Sequence, residues 1–234
     1  MKERLALPTT ARFLGLELEV LPDVLVPREE TELLCRASFD ILRARPAPQI
    51  VIDMCCGAGN LACAVACEFP DAIVFGSDLT DNCVGAARRN VERLGLVGRV
   101  QVFQGDLFEG LRRADLAGRA DLVICNPPYI STARLAGEKA HLLEAEPREA
   151  FDGGPYGLSI HQRVIAEAPR YLKSDGWLAL EFGAGQHRQI AALLKRAGGF
   201  EEPDILNDDL GIPRAVRAQR RVLSRLAGAL APLV

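Results

Sequence analysis

The sequence predicts an α/β fold built on a doubly wound, mostly parallel sheet, and three observations carry that prediction. Short apolar runs near residues 50, 73, 101, 122, 178 and 204 alternate with helix-like stretches, the pattern of a parallel sheet covered by helices on both faces. The first core run, Ile50-Val51-Ile52-Asp53, passes directly into a glycine-rich turn and a helix start. At 234 residues and 49% hydrophobic content the chain can bury a sizeable core, and it reads as one domain, 29–234, behind a short N-terminal extension, 1–28.

The elements follow in order. Within the extension, Phe13 to Val20 alternates apolar and polar residues and reads as a short strand or hairpin. Glu30 to Arg45 places Leu33, Leu34, Ala37, Ile41 and Leu42 at helical spacing. The strand at Ile50 is followed by the turn Cys55 to Gly59, and a second strand, Ala72 to Ser77, ends in Asp78. Thr80 is a good N-cap for a helix from Asp81 to Leu94, because its hydroxyl can accept a free amide of the first turn. A third run, Val100 onward, ends in Asp106, and a fourth, Asp121 to Cys125, is stopped by Pro127 and Pro128, which donate nothing to a ladder. The charged, glycine-rich stretch from Ile130 to Leu158 reads as a long loop of the kind that forms lids. A helix from Ser159 to Leu172 meets Pro169 near its end, where it breaks or kinks. Arg214, Arg217, Arg220 and Arg221 form the densest basic run, and the interleaved Ala215, Val216 and Ala218 make it a solvated edge strand with one buried face. Val222 to Val234 is apolar but shorter than the roughly 20 residues that span a bilayer, and reads as a docked terminal helix.

The chemistry begins at Asn126-Pro127-Pro128-Tyr129. A planar NH2 group has two in-plane donors, and the Asn126 side-chain oxygen with a main-chain carbonyl beside Pro127 supplies two acceptors that fix its plane. Tyr129 adds a flat wall. The glycine turn lets backbone approach a ligand and leaves the first helix amides free to bind it, and Asp78 stands at the distance from which an acid reaches ribose hydroxyls. Gly57-x-Gly59-x-x-Ala62 equally fits a dinucleotide fingerprint, so a dehydrogenase reading stands beside other nucleotide-cofactor readings. Asp53, Asp78, Asp106 and Asn126 end successive strands and converge on one rim.

Composition narrows the partners. A formal net charge of -3 does not suit a protein that binds by neutralising phosphates, and no membrane span is foreseen. Seven cysteines scattered through core segments behind no secretory signal fit small buried residues in a reducing cytoplasm, with Cys63 and Cys67 on one helix face but no Cys-x-x-Cys spacing and no metal expected. His141, His161 and His187 read as surface or loop residues, and no Ser-His-Asp order is evident.

Several ordered blocks together resemble the release-factor glutamine N5-methyltransferase family, which uses S-adenosyl-L-methionine. Val24-Leu-Val-Pro-Arg-Glu-Glu-Thr-Glu32 is similar to the family's V-L-I-P-R-P-E-T-E, and Asp53-x-x-x-Gly57-x-Gly59 to its D-x-G-x-G-x-G. Glu146 to Ala150, Gly153-Gly154, Gly157-Leu158, Gly176 to Glu181, and Leu210-Gly211-x-x-Arg214 resemble later blocks. Three positions depart: Cys55 replaces the first glycine, Glu29 a proline and Tyr156 an aspartate. Family members usually carry an N-terminal helical domain that helps grip the release factor, and this chain starts almost at the catalytic domain.

The resemblance implies a class I, Rossmann-like methyltransferase that transfers the sulfonium methyl to a planar NH2 nitrogen. The most favoured acceptor is the side-chain amide of an exposed glutamine on a protein. A small molecule or carrier-bound amino acid, adenine in nucleic acid, and a degenerate cofactor-binding scaffold are the alternatives. Asn126 and the Pro127 carbonyl would hold the acceptor, with Pro128 and Tyr129 walling its slot and Arg28, Glu30 and Glu32 covering it. Asp78 with Leu79 would meet the ribose, Asp106 the adenine amino group and Leu107 the adenine face. Cys55, Cys56, Gly57, Ala58 and Gly59 would pass beneath the cofactor, with Asp53 orienting its methionyl part.

Overall fold

The computed structural model describes residues 9–222. A hairpin comes first, β1 (Thr10–Phe13) paired antiparallel with β2 (Leu16–Glu19), its turn made by Leu14 and Gly15 at positive φ. Its inward residues Phe13 and Leu18 are fully buried in the main core. A 3-10 turn, Glu29–Thr31, leads into α1 (Glu32–Arg43), so the long helix foreseen from Glu30 to Arg45 is tighter at its start and shorter at its end.

The sheet then builds outward. β3 (Ile50–Met54), α2 (Asn60–Glu68), β4 (Ile73–Asp78), α3 (Asp81–Arg93) and β5 (Val100–Gln104) place three parallel strands side by side. Thr80 caps α3 as foreseen, its Oγ1 accepting the Cys83 amide at 3.3 Å. The chain next crosses back to lay β6 (Ala120–Cys125) on the other flank of β3. A short α4 (Thr132–Ala136) follows, then α5 (Ser159–Glu167), β7 (Leu172–Glu181), α6 (His187–Ala197), β8 (Asp204–Asn207) and β9 (Pro213–Gln219). The seven-stranded order is β5-β4-β3-β6-β7-β9-β8, parallel as far as β7 and antiparallel where β9 joins.

Alternation along the buried strands fills two cores. Val51, Leu122 and Ile124 face α1, α2 and α3, whereas Ile52, Met54 and Val123 face α5 and α6. Covering both faces is why β6 is buried at every position and why Leu122 to Cys125 is an unbroken apolar run. At its start Asp121 is 1% exposed and is held by the Ile50 amide, Arg45 and Lys173.

Several sequence expectations change. The arginine-rich run is not at the edge: β9 lies between β7 and β8, and Ala215 packs into one core while Val216 and Ala218 pack into the other. The strand β8 takes the edge, which a search for alternation on one face does not foresee. The helix from Ser159 stops at Glu167, where Pro169 sits in a separate 3-10 turn, and Leu172 already begins β7. His161 is fully buried, its Nε2 2.8 Å from the Glu181 carbonyl, rather than on the surface. Cys67 is exposed while Cys63 is buried, so the two do not share one environment. The 130–158 segment holds α4 and two 3-10 turns and is tied down by a bridge between Ile130 and Asp152. The foreseen terminal helix lies outside the described residues beyond Val222.

Candidate active site

A doubly wound sheet opens a crevice where consecutive connections leave in opposite directions, here between the C-terminal ends of β3 and β6. The glycine turn follows β3 and Asn126 follows β6, so the fold brings the two sequence motifs to the same place.

The turn is shaped by positive φ at Cys55 (56°), Gly57 (52°) and Gly59 (79°). A Cβ at Gly59 would stand 3.0 Å from the Ala87 Cβ and 3.2 Å from its Cα, so this glycine lets the turn pack against α3. Asp78 ties the turn to β4, its Oδ2 accepting the Gly57 amide at 2.9 Å, and its Oδ1 accepting the Thr80 amide at 3.3 Å. Asp78, Leu79, Asp106, Leu107, Cys55 and Gly57 line one cavity. Leu79 is 55% exposed there, and Leu107 holds a left-handed conformation that sends its carbonyl to the Ser77 hydroxyl at 2.8 Å. Both Asp106 oxygens accept from Arg163 of α5, at 3.0 and 2.9 Å.

Asp53 is not on the rim. It is fully buried behind the turn, where its Oδ2 accepts the Ala62 amide of α2 at 3.0 Å and its Oδ1 has no partner. Burial pushes its carboxyl up to about 8, and the neighbouring Asp78 charge adds to the effect. Cys56 is also buried, and the Ala58 carbonyl accepts from Asn90 at 3.0 Å. These two shape the turn through its backbone.

A second cavity of about 480 Å³ lies on the other side of the Asn126 turn, lined by Arg28, Glu30, Pro127, Tyr129 and Glu181 among others. Asn126 lines both cavities, Pro128 only the first, and Pro127 and Tyr129 only the second, so the four residues form a partition. Asn126 Nδ2 donates to Thr31 Oγ1 at 3.0 Å, and no donor among the described residues bonds its Oδ1. Tyr129 donates its hydroxyl to Glu181 Oε1 at 3.3 Å. Glu181 is 3% exposed; burial pushes its carboxyl up to about 7, with the Glu30 charge adding and the hydroxyls of Thr31 and Tyr129 opposing.

The segment after the partition clamps it. A Cβ at Gly153 would be 2.7 Å from the Pro128 carbonyl oxygen, and one at Gly157 2.2 Å from that of Tyr129. Gln186 bridges the same backbone, its Nε2 donating to the carbonyls of Tyr129 and Gly157 at 3.0 and 3.2 Å. Arg28 pairs with Glu146, which also accepts the Val26 amide at 2.8 Å. Glu32 serves the framework instead, accepting the Leu14 amide and pairing with Arg36.

Sequence reading missed Thr31, Glu181, Arg163 and Gln186 as site residues. Glu181 had a signal: a carboxylate closing the apolar run Trp177 to Leu180. Arg163 had none, since only the fold brings α5 beside Asp106.

The chain is similar to known proteins over most of its length. The family described as "Methyltransferase small domain" matches residues 37–202. The release factor glutamine methyltransferase of Geobacter sulfurreducens is 39% identical over 207 residues, covering 88% of this chain and 69% of that protein. The corresponding protein of Moorella thermoacetica is 36% identical over 210 residues, covering 89% and 72%. The solved protein-(glutamine-N5) methyltransferase (release factor-specific) of Alicyclobacillus acidocaldarius superposes with a TM-score of 0.52 at 27% identity, over 87% of this chain and 99% of that one. On the shared blocks, the partition and this likeness along most of its length, the chain belongs to the release factor glutamine methyltransferase family.

Proposed function

We propose that this chain transfers the methyl group of S-adenosyl-L-methionine to the side-chain amide nitrogen of a glutamine in a peptide-chain release factor, in a reducing cytoplasm. The observation that carries the reading is the partition: Asn126 stands between a cavity with cofactor-binding chemistry and a separate one open to an acceptor. Protein substrate, rather than nucleic acid, suits a chain of net charge -3. Among the described residues no helix is long and apolar enough to cross a membrane. The transfer is assigned to 29–234, with the 1–28 extension bracing it through bonds from Leu14 to Glu32 and from Glu19 to Asn90.

The first cavity suits the cofactor. Asp78 keeps acceptor capacity for ribose hydroxyls beyond the amides of Gly57 and Thr80, and exposed Leu79 flanks it. Asp106, steadied by Arg163, faces the position of the adenine amino group, and Leu107 offers an apolar surface. Cys55 to Gly59 pass beneath, and Asp53 acts from behind them on the methionyl end through the turn and α2. When bound, S-adenosyl-L-methionine supplies an electrophilic methyl group on its sulfonium.

The chain's own residues must compensate for a weak nucleophile, because an amide nitrogen delocalises its lone pair into the carbonyl. Asn126 Oδ1 and the Pro127 carbonyl accept the two NH2 hydrogens, fix the nitrogen's plane and stabilise the positive charge that develops on it. Tyr129, fixed by Glu181 and Gln186, walls the slot.

The test is turnover on an unmethylated bacterial release factor at saturating cofactor. Asn126→Ala should lower kcat by about a hundredfold or more while cofactor affinity and melting temperature change little. Asn126→Asp keeps an acceptor oxygen but loses the donor to Thr31, and should also fail. Near wild-type turnover by Asn126→Ala would make the turn merely structural.

A further inference from the structure

We infer that Arg163 is a positioning residue for cofactor recognition: it holds the Asp106 carboxylate against the adenine edge and so sets a preference for 6-amino over 6-oxo purines. This rests on the reading that Asp106 accepts the adenine amino group.

Asp106 stands at the N-cap of the 3-10 turn Leu107–Leu111. The start of such a turn leaves its first amides without partners inside it, and an aspartate there ordinarily folds back onto them. Asp106 makes no such cap bond. Both its oxygens instead accept from the Arg163 guanidinium, at 3.0 and 2.9 Å, in a two-pronged pair that fixes the plane of the carboxylate as well as its place. The backbone beneath is held. The Gly105 amide donates to the Asp78 carbonyl at 2.9 Å, the Ser77 hydroxyl donates to the Leu107 carbonyl at 2.8 Å, and a Cβ at Gly105 would stand 2.4 Å from the Gly110 amide nitrogen. What remains to be set is the direction of the side chain, and Arg163 sets it.

The place of the pair suits recognition rather than bracing. Arg163 and Asp106 are 42% and 44% exposed, and an ion pair so open to water adds little to the stability of a fold. Asp106 lines the first cavity with Leu107 and with Ile160, which precedes Arg163 by about one turn of α5. Arg163 reaches the carboxylate without lining that cavity itself. An ionised carboxylate has about four acceptor positions, so capacity remains for a ligand after Arg163 has bound. Held in that plane, the free positions suit the NH2 of a 6-amino purine and repel the O6 of a 6-oxo purine. Once released, the carboxylate can return to the turn amides, or swing from O6 to the N1–H that a 6-oxo purine carries. Either movement erodes the distinction. A cofactor that covers Asp106 also strips water from its charge, and Arg163 stays as the counter-ion.

The experiment measures, by calorimetric titration of the full chain, the affinities for S-adenosyl-L-homocysteine and for its inosine counterpart, S-inosyl-L-homocysteine. Wild type should prefer the adenosine form, and Asp106→Ala should lose that preference. Arg163→Met keeps an apolar stem and removes the fork. It should lower the ratio of the two affinities by about tenfold or more, the worth of one hydrogen bond to a charged group, with little change in melting temperature. Arg163→Lys keeps the charge without the fork and should fall short of the wild-type ratio. In the Asp106→Ala background, Arg163→Met should leave the ratio unchanged. A wild-type ratio in Arg163→Met, whether both ligands weaken equally or neither does, overturns the inference and leaves the Asp106 assignment standing. A wild-type ratio in Arg163→Lys, or a further fall in the double variant, overturns it as well. If Asp106→Ala keeps the wild-type ratio, the adenine assignment of Asp106 fails and the inference with it. A chain that binds neither ligand overturns the cofactor reading itself.

Discussion

Asp53→Asn separates a buried charge from the shape that surrounds it. The wild-type carboxyl is fully buried, accepts one amide and has an oxygen with no partner. Its displacement from 3.8 to about 8 makes ionisation inside the fold cost on the order of 5 kcal/mol, at about 1.4 kcal/mol per tenfold. Because the folded value lies above the unfolded one, the folded chain keeps this proton longer. The stability it contributes is whole below 3.8 and is lost as the pH rises through about 8. Glu181 acts in the same direction between 4.5 and about 7, whereas buried, neutral His161 loses stability as the pH falls from 6.5 through about 4. Wild-type stability alone therefore mixes several groups, buried thiols among them. The difference between wild type and Asp53→Asn cancels the others. Asparagine can still accept the Ala62 amide, and its NH2 replaces the partnerless oxygen at a pH-independent cost of about 1–3 kcal/mol. Urea unfolding at about pH 5 and about pH 9 should thus show the variant gaining about 4 kcal/mol on the wild type. A difference that stays constant with pH would refute the buried-charge argument.

Asp78→Ala should weaken S-adenosyl-L-methionine by about 1.5–3 kcal/mol by calorimetry, through loss of a charged acceptor; unchanged affinity in a folded variant removes Asp78 from the ribose site. Gly157→Ala puts a Cβ 2.2 Å from the Tyr129 carbonyl oxygen at φ +70°, and should cost about 2–4 kcal/mol and most of the turnover. Gly211→Ala has a similar φ of +76° but open space, so it should cost about 1–2 kcal/mol and leave kcat near wild type; equal loss in both would rule out the clamp on Tyr129. Maleimide labelling of the native chain should modify exposed Cys67 first, and cofactor should slow Cys55 and Cys83, which line the cavity proposed for it. Equal labelling with and without cofactor would place the ligand elsewhere.

The sequence showed the parallel core clearly because β3 and β6 are buried on both faces and leave the apolar runs Ile50 to Ile52 and Leu122 to Cys125. It misread β9 for a related reason. Alanines at 215 and 218 are small enough to pack against either face, and arginine stems can lie along a sheet while their heads reach solvent, so an interior strand looked like an edge. Asn126, Asp78 and Gly57 were legible because each stands beside a turn that demands its backbone geometry. Asp53 was legible as a motif residue but not as a buried one, since period-two alternation says which face a residue takes and not how deep that face lies. The bonds from Asn126 to Thr31 and from Tyr129 to Glu181 cross 95 and 52 positions of sequence, and no local pattern encodes them.

Cys55 bears on whether the turn can still serve a ligand. It holds φ 56°, the left-handed region where a side chain strains the backbone, in the place where the family has a glycine. One such residue costs about 1–2 kcal/mol, which a core of this size can absorb. Its partly buried side chain packs against the core cluster that includes Cys125, at the end of β6, so the substituted residue has packing partners across the switch point. The other two glycines occupy the positions where glycine does more than relieve strain. Gly57 supplies the amide that fixes Asp78, and Gly59 allows the close approach of α3. A decayed scaffold would lose those two positions as readily as the first. Here the substitution falls where a side chain is strained but accommodated, and the features that shape the cavity beside the turn, which Asn126 also lines, remain in place.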